Sequence, residues 1–531
     1  MIMQKLISFG VRQLRSFGAS HQKIPIKPIN ILVGKNSCGK STFLRTFPLL
    51  RQSVQANTKS PILWFGDLVD FGDFSTALHD GADTISFDFE MILDVESEED
   101  LWEFSISDGD IFETGNRFNY PVNACVTISR NAPNQLVTKL TFEIYSSLIE
   151  IVYSGDNVEN VTARSGDKEF EFPLKIIIEH GAFFPLELRG LRAIKGSNST
   201  VRRFSIINNL NSVASTYLTE FLSGYHHASK REEKIREEVD ALKFKPKMQI
   251  LDQLQRRFAK ERFFQKNLTD SGDHIAEVAF TLLLARSLPR LLRSADKLFK
   301  DFYEGVRYQA PLRAAGERFY RYQDLRIDEI DHTGSNLPMV INSLDKWRQQ
   351  QLSTWISENF GFELNLKSNG LHYELLIKEA EDKKFHNISD MGFGYSQILP
   401  VIVSIWLEVV ADIKTRKYAI TKNKGPRIIV LEQPELHLHP ALQYKFGLAI
   451  AKVLKSAKKQ DLYFVIETHS KHLIDALGEA IRDQQIPEEI VNIALFEKSE
   501  SGVTQTKISG FNSEGYLINW PIGFLSPEYD Y

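Results

Sequence analysis

Apolar and polar positions change rhythm several times along the chain, and each change predicts an element. Residues 24–33 are apolar-rich and end in Ile-Asn-Ile-Leu-Val, the pattern of a buried strand. Gly34 breaks the run, and residues 41–50 read as a helix. Residues 60–185 carry β-type runs separated by turn signals, at 84–92, 124–128, 136–149 and 168–178. That spacing predicts a β-rich half-domain of antiparallel strands. Residues 200–306 are mostly helical and heavily charged, most clearly over 232–242 and 250–266, with Pro246 between. Residues 307–385 return to mixed structure. Beyond 386, apolar runs at 398–410, 427–431 and 462–466 alternate with helices, which suggests a parallel core sheet. The two ends of the chain then form halves of one α/β domain around an insertion.

Composition excludes several classes. At 531 residues the chain is too long for one compact core, so two or three domains are expected. A net charge of -4 announces no global affinity for nucleic acid, and any such surface must be a local patch. Two cysteines, Cys38 and Cys125, make neither a disulfide framework nor a zinc site. The N-terminus lacks a signal-peptide run, and the longest apolar stretch, 398–411, is short of a span and contains Trp406 and Glu408. A cytoplasmic protein is expected.

The run Gly34-Lys35-Asn36-Ser37-Cys38-Gly39-Lys40-Ser41-Thr42 carries the clearest chemistry. Its first eight residues, to Ser41, fit G-x-x-x-x-G-K-[ST], between a predicted strand and a predicted helix. Glycines let backbone N–H groups wrap a phosphate, Lys40 neutralises β/γ-phosphate oxygens, and the Ser41 hydroxyl takes a Mg²⁺ position. ATP and Mg²⁺ are therefore the expected cofactors. A second apolar strand ends in Glu432-Gln433-Pro434-Glu435, and a carboxylate there suits Mg²⁺ beside such a loop. His437 and His439 follow, with no third ligand at metal spacing; they read as a turn shaping the site.

These motifs resemble the ABC-type ATPases of the SMC/RecF/OLD group, in particular bacterial members whose acidic motif reads E-Q-P-E-x-H-L-H-P. The resemblance implies an α/β fold: an ABC-type head with a mixed β half-domain, a parallel-sheet core and an inserted helical domain. Its lobes would be residues 1–190, 191–306 and 307–531. The common acidic motif ends in Asp-Glu, where Asp holds Mg²⁺ and Glu polarises water. Glu432 and Gln433 stand at those positions. Glutamine orients a water but accepts no proton as a base. Either hydrolysis is slow, or Glu435 or Glu432 takes the base role. The segment Ser389-Asp-Met-Gly392-Phe-Gly394-Tyr-Ser396 is similar to the group's signature, which caps the γ-phosphate of the opposite subunit; Ser389 or Ser396 would serve. His469 stands at the position of the group's γ-phosphate-sensing histidine. A head-to-head homodimer is implied.

Pro311-Leu-Arg313, Arg318-Phe-Tyr320, Thr333-Gly-Ser-Asn336 and Asn519-Trp-Pro-Ile-Gly-Phe524 extend the resemblance to the PtuA-type ATPases of Septu and retron anti-phage defence. Those work with an HNH nuclease and, in retrons, with a reverse transcriptase and its RNA–DNA product (msDNA). Such partners are expected here, because the chain shows no nuclease constellation of its own. Between 225 and 300 there are 17 Lys and Arg against 11 Asp and Glu. Lys243, Lys245, Lys247, Arg256, Arg257, Lys260 and Arg262, interleaved with Phe244, Phe258, Phe263 and Phe264, form a candidate nucleic-acid or partner patch. A solvated helical face with core phenylalanines is the competing reading. The alternatives to a defence role are a RecF-type DNA-maintenance ATPase and an ATP-stabilised scaffold that does not hydrolyse.

Overall fold

A computed structural model of the chain describes residues 4–56, 60–96, 106–107, 110–111, 117–132, 135–155, 157–172, 176–177, 183–184, 189–194, 203–207, 209–321, 327, 329–409, 425–456 and 461–521. The centre is a 7-stranded sheet in the order Val306–Gln309, Arg427–Glu432, Leu462–Glu467, Ile29–Gly34, Val491–Lys498, Thr504–Phe511, Leu517–Ile518. Its first five strands run parallel and the last two are antiparallel. Their near-continuous apolar runs are explained by burial on both faces. Ile29, Ile31, Val33, Phe464 and Ile466 join a core with the helices Lys346–Phe360, Phe393–Val409, Pro440–Ser456 and Lys471–Arg482. The alternate positions Leu32, Val430, Val465 and Phe496 enter a second core.

That second core is shared by three parts. The helix Lys40–Gln55 lies between the central sheet and an 11-stranded sheet that begins at Lys5–Arg12 and ends at Arg203–Ile207. Phe43 and Phe47 of this helix pack on Phe9, with ring centroids 5.5 and 5.7 Å apart, and Phe9 stacks on Phe89 at 5.2 Å. Helices Asn209–Ser223, Glu232–Asp240, Lys247–Arg257, Arg262–Arg286 and Leu288–Glu304 close the core over the large sheet. Among the described residues no helix is long and apolar enough to cross a membrane.

Several elements differ from the pattern in the sequence. The run 136–149 is two strands, Gln135–Ile144 and Ser147–Ser154, because Tyr145 adopts φ 55° and turns a hairpin without glycine or proline. The stretch 250–266 is broken after Arg257, where Phe258 leaves helical geometry and is buried. The apolar run 398–410 lies in the helix Phe393–Val409, whose buried residues include Trp406. The large sheet also continues past residue 190, since Arg189–Ile194 pairs with Arg203–Ile207.

Candidate functional site

The loop after the strand Ile29–Gly34 reverses through positive φ at Gly34 (156°), Ser37 (61°) and Gly39 (97°). Space demands the glycines as much as φ does. A Cβ at Gly34 would stand 2.3 Å from the Phe496 carbonyl oxygen, and one at Gly39 2.6 Å from Thr504 Oγ1. Cys38 is buried and its Sγ lies 2.8 Å from the Lys35 carbonyl oxygen, closing the turn; burial raises its thiol pKa. Lys35, Asn36 and Ser37 are exposed on the crest, while Ser41 and Thr42 are half-buried. From outside, the Thr504 hydroxyl sits 3.1 Å from the Cys38 carbonyl oxygen and 2.8 Å from Ser16 Oγ.

The helix Lys40–Gln55 starts with neither a side-chain cap nor an acid in its first turn. Its positive dipole end therefore faces the loop without a capping side chain, which suits an anion. Lys40 is buried and folded back across the loop. Its Nζ donates to the carbonyl oxygens of Gly34 (3.0 Å) and Lys35 (2.8 Å) and lies 3.9 Å from Glu467 Oε1. This combination fits a polyphosphate, because a bound anion would replace two neutral acceptors for the ammonium.

The strand order brings a second carboxylate to the loop. Leu462–Glu467 lies between the loop strand and Arg427–Glu432, and Glu432 and Glu467 are register partners. Glu432 is fully engaged: Arg45 Nη2 donates to Oε1 (2.8 Å), while Arg45 Nε (2.9 Å) and Tyr308 Oη (2.7 Å) donate to Oε2. Ser41 turns to the other acid, its Oγ donating to Glu467 Oε1 at 2.9 Å. Glu467 Oε2 is buried without a hydrogen-bond partner. Burial pushes the Glu467 carboxyl up to about 7; the Glu432 charge adds to this, while Ser41, Lys40 and Arg45 oppose it.

That shift has a sign for stability. The ordinary glutamate value is 4.5. Between the two values the folded chain keeps a proton that the unfolded chain has released. Stability therefore falls as pH rises from about 4.5 to about 7, and is level above that. Glu467→Gln removes the ionisation, so it should raise the melting temperature at pH 8, by on the order of 3 kcal/mol of stability at most, and leave it unchanged at pH 4. An equal gain at both pH values would contradict the raised pKa.

Gln433, Glu435 and His469 meet at the rim of the same strands. Gln433 has φ 45°, and its N–H donates to the Glu467 carbonyl at 2.9 Å. Glu435 is buried; its Oε1 accepts the His469 N–H at 2.6 Å, and its Oε2 has no partner. Burial raises the Glu435 carboxyl against the pull of that amide. The His469 ring stands at the surface, yet desolvation by its neighbours and the Lys40 charge lower its pKa, favouring a neutral imidazole. Ser470 then caps the helix Lys471–Arg482.

The signature segment packs beside the turn after Glu435. Gly394 has no room for a side chain, its Cβ falling 2.8 Å from the His437 carbonyl oxygen, and Phe393 meets the His437 ring edge-on at 4.9 Å. Gly392 has φ 81° and open space around it. Ser396 lies within the helix Phe393–Val409, buried and donating to the Phe393 carbonyl at 2.7 Å. Ser389 is exposed before the helix and donates to Asn387 Oδ1 at 2.9 Å. Of the two serines, Ser389 is therefore the exposed one.

Arg313 joins these parts. Its side chain is buried, with Nη1 donating to the Gln397 carbonyl (3.2 Å) and Nη2 to the Glu432 carbonyl (3.3 Å); Gln397 Nε2 returns a bond to the Arg313 carbonyl at 3.0 Å. Burial lowers Arg313 to about 10, resisted by Glu435, Tyr308 and Glu432. Arg318 pairs with Asp390 at 2.5 Å and its carbonyl accepts from Asn387, tying that motif to the signature. Asn336 packs its turn through Asp331 and Glu329. Of the late motif, residues 522–524 lie outside the described residues.

The basic patch is far more of a helical face than a stacking platform. Phe244, Phe258 and Phe264 are core residues, and only Phe263 is exposed. Arg257 pairs with Glu238 at 2.5 Å, and Lys247 donates to Ser146 at 3.0 Å. Lys245, Arg256 and Arg257 line one open groove. Lys243 is half-buried, whereas Lys260 and Arg262 are exposed.

Sequence reading missed Arg45, Tyr308, Glu467 and Thr504 as site residues, and left Arg313 as a motif position without a role. Glu467 had a visible signal: it closes an apolar strand as Glu432 does.

The profile of the AAA ATPase domain family matches residues 5–474. No curated protein matches the chain. Among solved structures, it is similar to the Smc head domain of Pyrococcus furiosus bound to the C-terminal domain of ScpA, at 10% identity and TM-score 0.32, covering 95% of this chain and 96% of that one. An Smc head with coiled coil and joint from Pyrococcus yayanosii gives 11% identity and TM-score 0.34, over 97% and 98%. The recombination mediator RecF of the RecFOR pathway gives 11% and 0.24, over 95% and 98%.

Proposed function

The chain belongs to the AAA ATPase domain family, and from that premise we propose that it is an ATP- and Mg²⁺-binding, slowly hydrolysing ATPase that works as a nucleotide-gated dimer. The observation that carries this reading is Lys40, buried and parked on the Gly34 and Lys35 carbonyls over an uncapped helix N-terminus. With nucleotide bound, the loop amides and Lys40 would hold the phosphates, and Ser41 would hold the metal. Mg²⁺ supplies charge neutralisation for phosphoryl transfer. Gln433 would orient water without accepting its proton, which would keep turnover slow.

Dimerisation is supported by the signature segment, whose Gly392 and Phe393 are exposed at a helix start. A second subunit's γ-phosphate would meet that helix end and Ser389. The partner reading rests on the motifs Glu432–Pro440 and Pro311–Arg313: the dimer holds an HNH nuclease in check, in the manner of PtuA-type ATPases, and in a retron setting also a reverse transcriptase with its msDNA. A pull-down in ATP and Mg²⁺ tests it. Recovery of an HNH nuclease supports the reading; recovery of recombination proteins alone moves the assignment to a RecF-type DNA-maintenance ATPase.

Gln433→Glu separates slow enzyme from scaffold. A base restored at this position should raise turnover by about 10²-fold or more, read as phosphate release. No gain would mean that the site holds ATP without hydrolysing it.

A further inference from the structure

Two acids end adjacent parallel strands beneath the phosphate loop, and they are not equivalent. Glu432 carries three hydrogen bonds on its two oxygens, two of them from one guanidinium in fork geometry. Reaching a cation would require giving up a bidentate Arg45 pair, among the stronger side-chain interactions. Glu467 is in the opposite state. Its side chain is 1% exposed, Oε2 has no hydrogen-bond partner, and Oε1 is held only by Ser41, with Lys40 at 3.9 Å. A buried carboxylate oxygen left without a donor is costly, and such an atom marks a place where a cation or water belongs.

The spacing of the pair is compatible with a shared ion. Mg²⁺ takes oxygen ligands at about 2.0–2.1 Å in near-octahedral geometry, so two adjacent ligands stand about 2.9 Å apart. Ser41 Oγ and Glu467 Oε1 are 2.9 Å apart. That is the length of the hydrogen bond between them, and it is compatible with both oxygens ligating one ion once the Ser41 proton no longer bridges them.

We infer that Glu467, rather than Glu432, is the carboxylate that holds the nucleotide's Mg²⁺ together with Ser41, while Arg45 and Tyr308 keep Glu432 as a structural anchor of the acidic strand. This rests on the nucleotide-site reading above. Binding of ATP draws Lys40 toward the phosphates, which removes the ammonium near Glu467 and leaves its carboxylate to the metal. Glu432 then acts at a distance, fixing the strand end from which Gln433 and Glu435 turn into the rim.

The test is a fluorescent ATP-analogue titration of the full chain, with excess Mg²⁺ and with EDTA, on wild type, Glu467→Gln, Glu467→Asp and Glu432→Gln. Wild type should bind more tightly with Mg²⁺. In Glu467→Gln that metal-dependent gain should shrink about tenfold or more, with the affinity in EDTA retained. Retained EDTA affinity also shows that the variant has folded. Glu467→Asp should recover part of the gain, and Glu432→Gln should keep it. A full gain in Glu467→Gln, or its loss in Glu432→Gln with EDTA binding intact, overturns the inference. Wild type that binds the analogue in neither condition would remove the nucleotide site itself, and this inference with it.

Discussion

Lys40→Ala is expected to abolish measurable ATP binding while the protein stays folded. The ammonium is the one cation buried inside the loop's curve, and it is held by neutral carbonyls that a phosphate outcompetes. Each charge-assisted hydrogen bond to a phosphate oxygen contributes about 1.5–3 kcal/mol. Two of them correspond to roughly two to four powers of ten in affinity. The loop also keeps the glycines Gly34 and Gly39, the Cys38–Lys35 contact and the Thr504 buttress when the Lys40 side chain is removed. Calorimetric titration with ATP and Mg²⁺, paired with a melting curve, reads both halves. An affinity unchanged from wild type would overturn the assignment of the phosphate site.

Arg313→Met should have the largest effect away from the loop. The guanidinium is buried against the helix Phe393–Val409 on one side and the end of the acidic strand on the other. Methionine fills much of the volume but leaves the Gln397 and Glu432 carbonyls without their donors. It also removes the Arg313 charge that counters the desolvation of buried Glu435. Breaking such a buried arrangement costs about 3 kcal/mol, seen as a lower melting temperature. The functional effect is more specific. Arg313 links the signature helix to the strand carrying Glu432, so ATP-dependent dimerisation should fail while the single subunit still binds ATP. Arg313→Lys, which keeps charge but not the fork, should fall between the two. Light scattering in ATP and Mg²⁺ gives the assembly. Full dimerisation of Arg313→Met would show that the link carries no such coupling.

What could be seen in the sequence was local. The phosphate loop is eight consecutive residues, and its glycines, lysine and serine each answer a demand of the same short turn. The acidic strand was visible for the same reason. What escaped was set by strand order. Nothing in residues 462–467 says that their strand inserts between the loop strand and Arg427–Glu432, and that insertion is what brings Glu467 to Ser41. Arg45 looks like any helical arginine until the fold places Glu432 opposite it. The signature serine was undecided because it depends on where the helix begins: a start at Phe393 turns Ser396 inward and leaves Ser389 outside. The interleaved phenylalanines of the basic segment left two readings open for a different reason. Short amphipathic helices put core and charge side by side in sequence, and Phe244, Phe258 and Phe264 serve the core.

A structure of the chain with a non-hydrolysable ATP analogue and Mg²⁺ bears most directly on the nucleotide site. The phosphates should lie in the loop between Gly34 and Thr42, with Lys40 Nζ released from the Gly34 and Lys35 carbonyls and moved onto them. An analogue bound elsewhere, with Lys40 still on those two carbonyls, would contradict it.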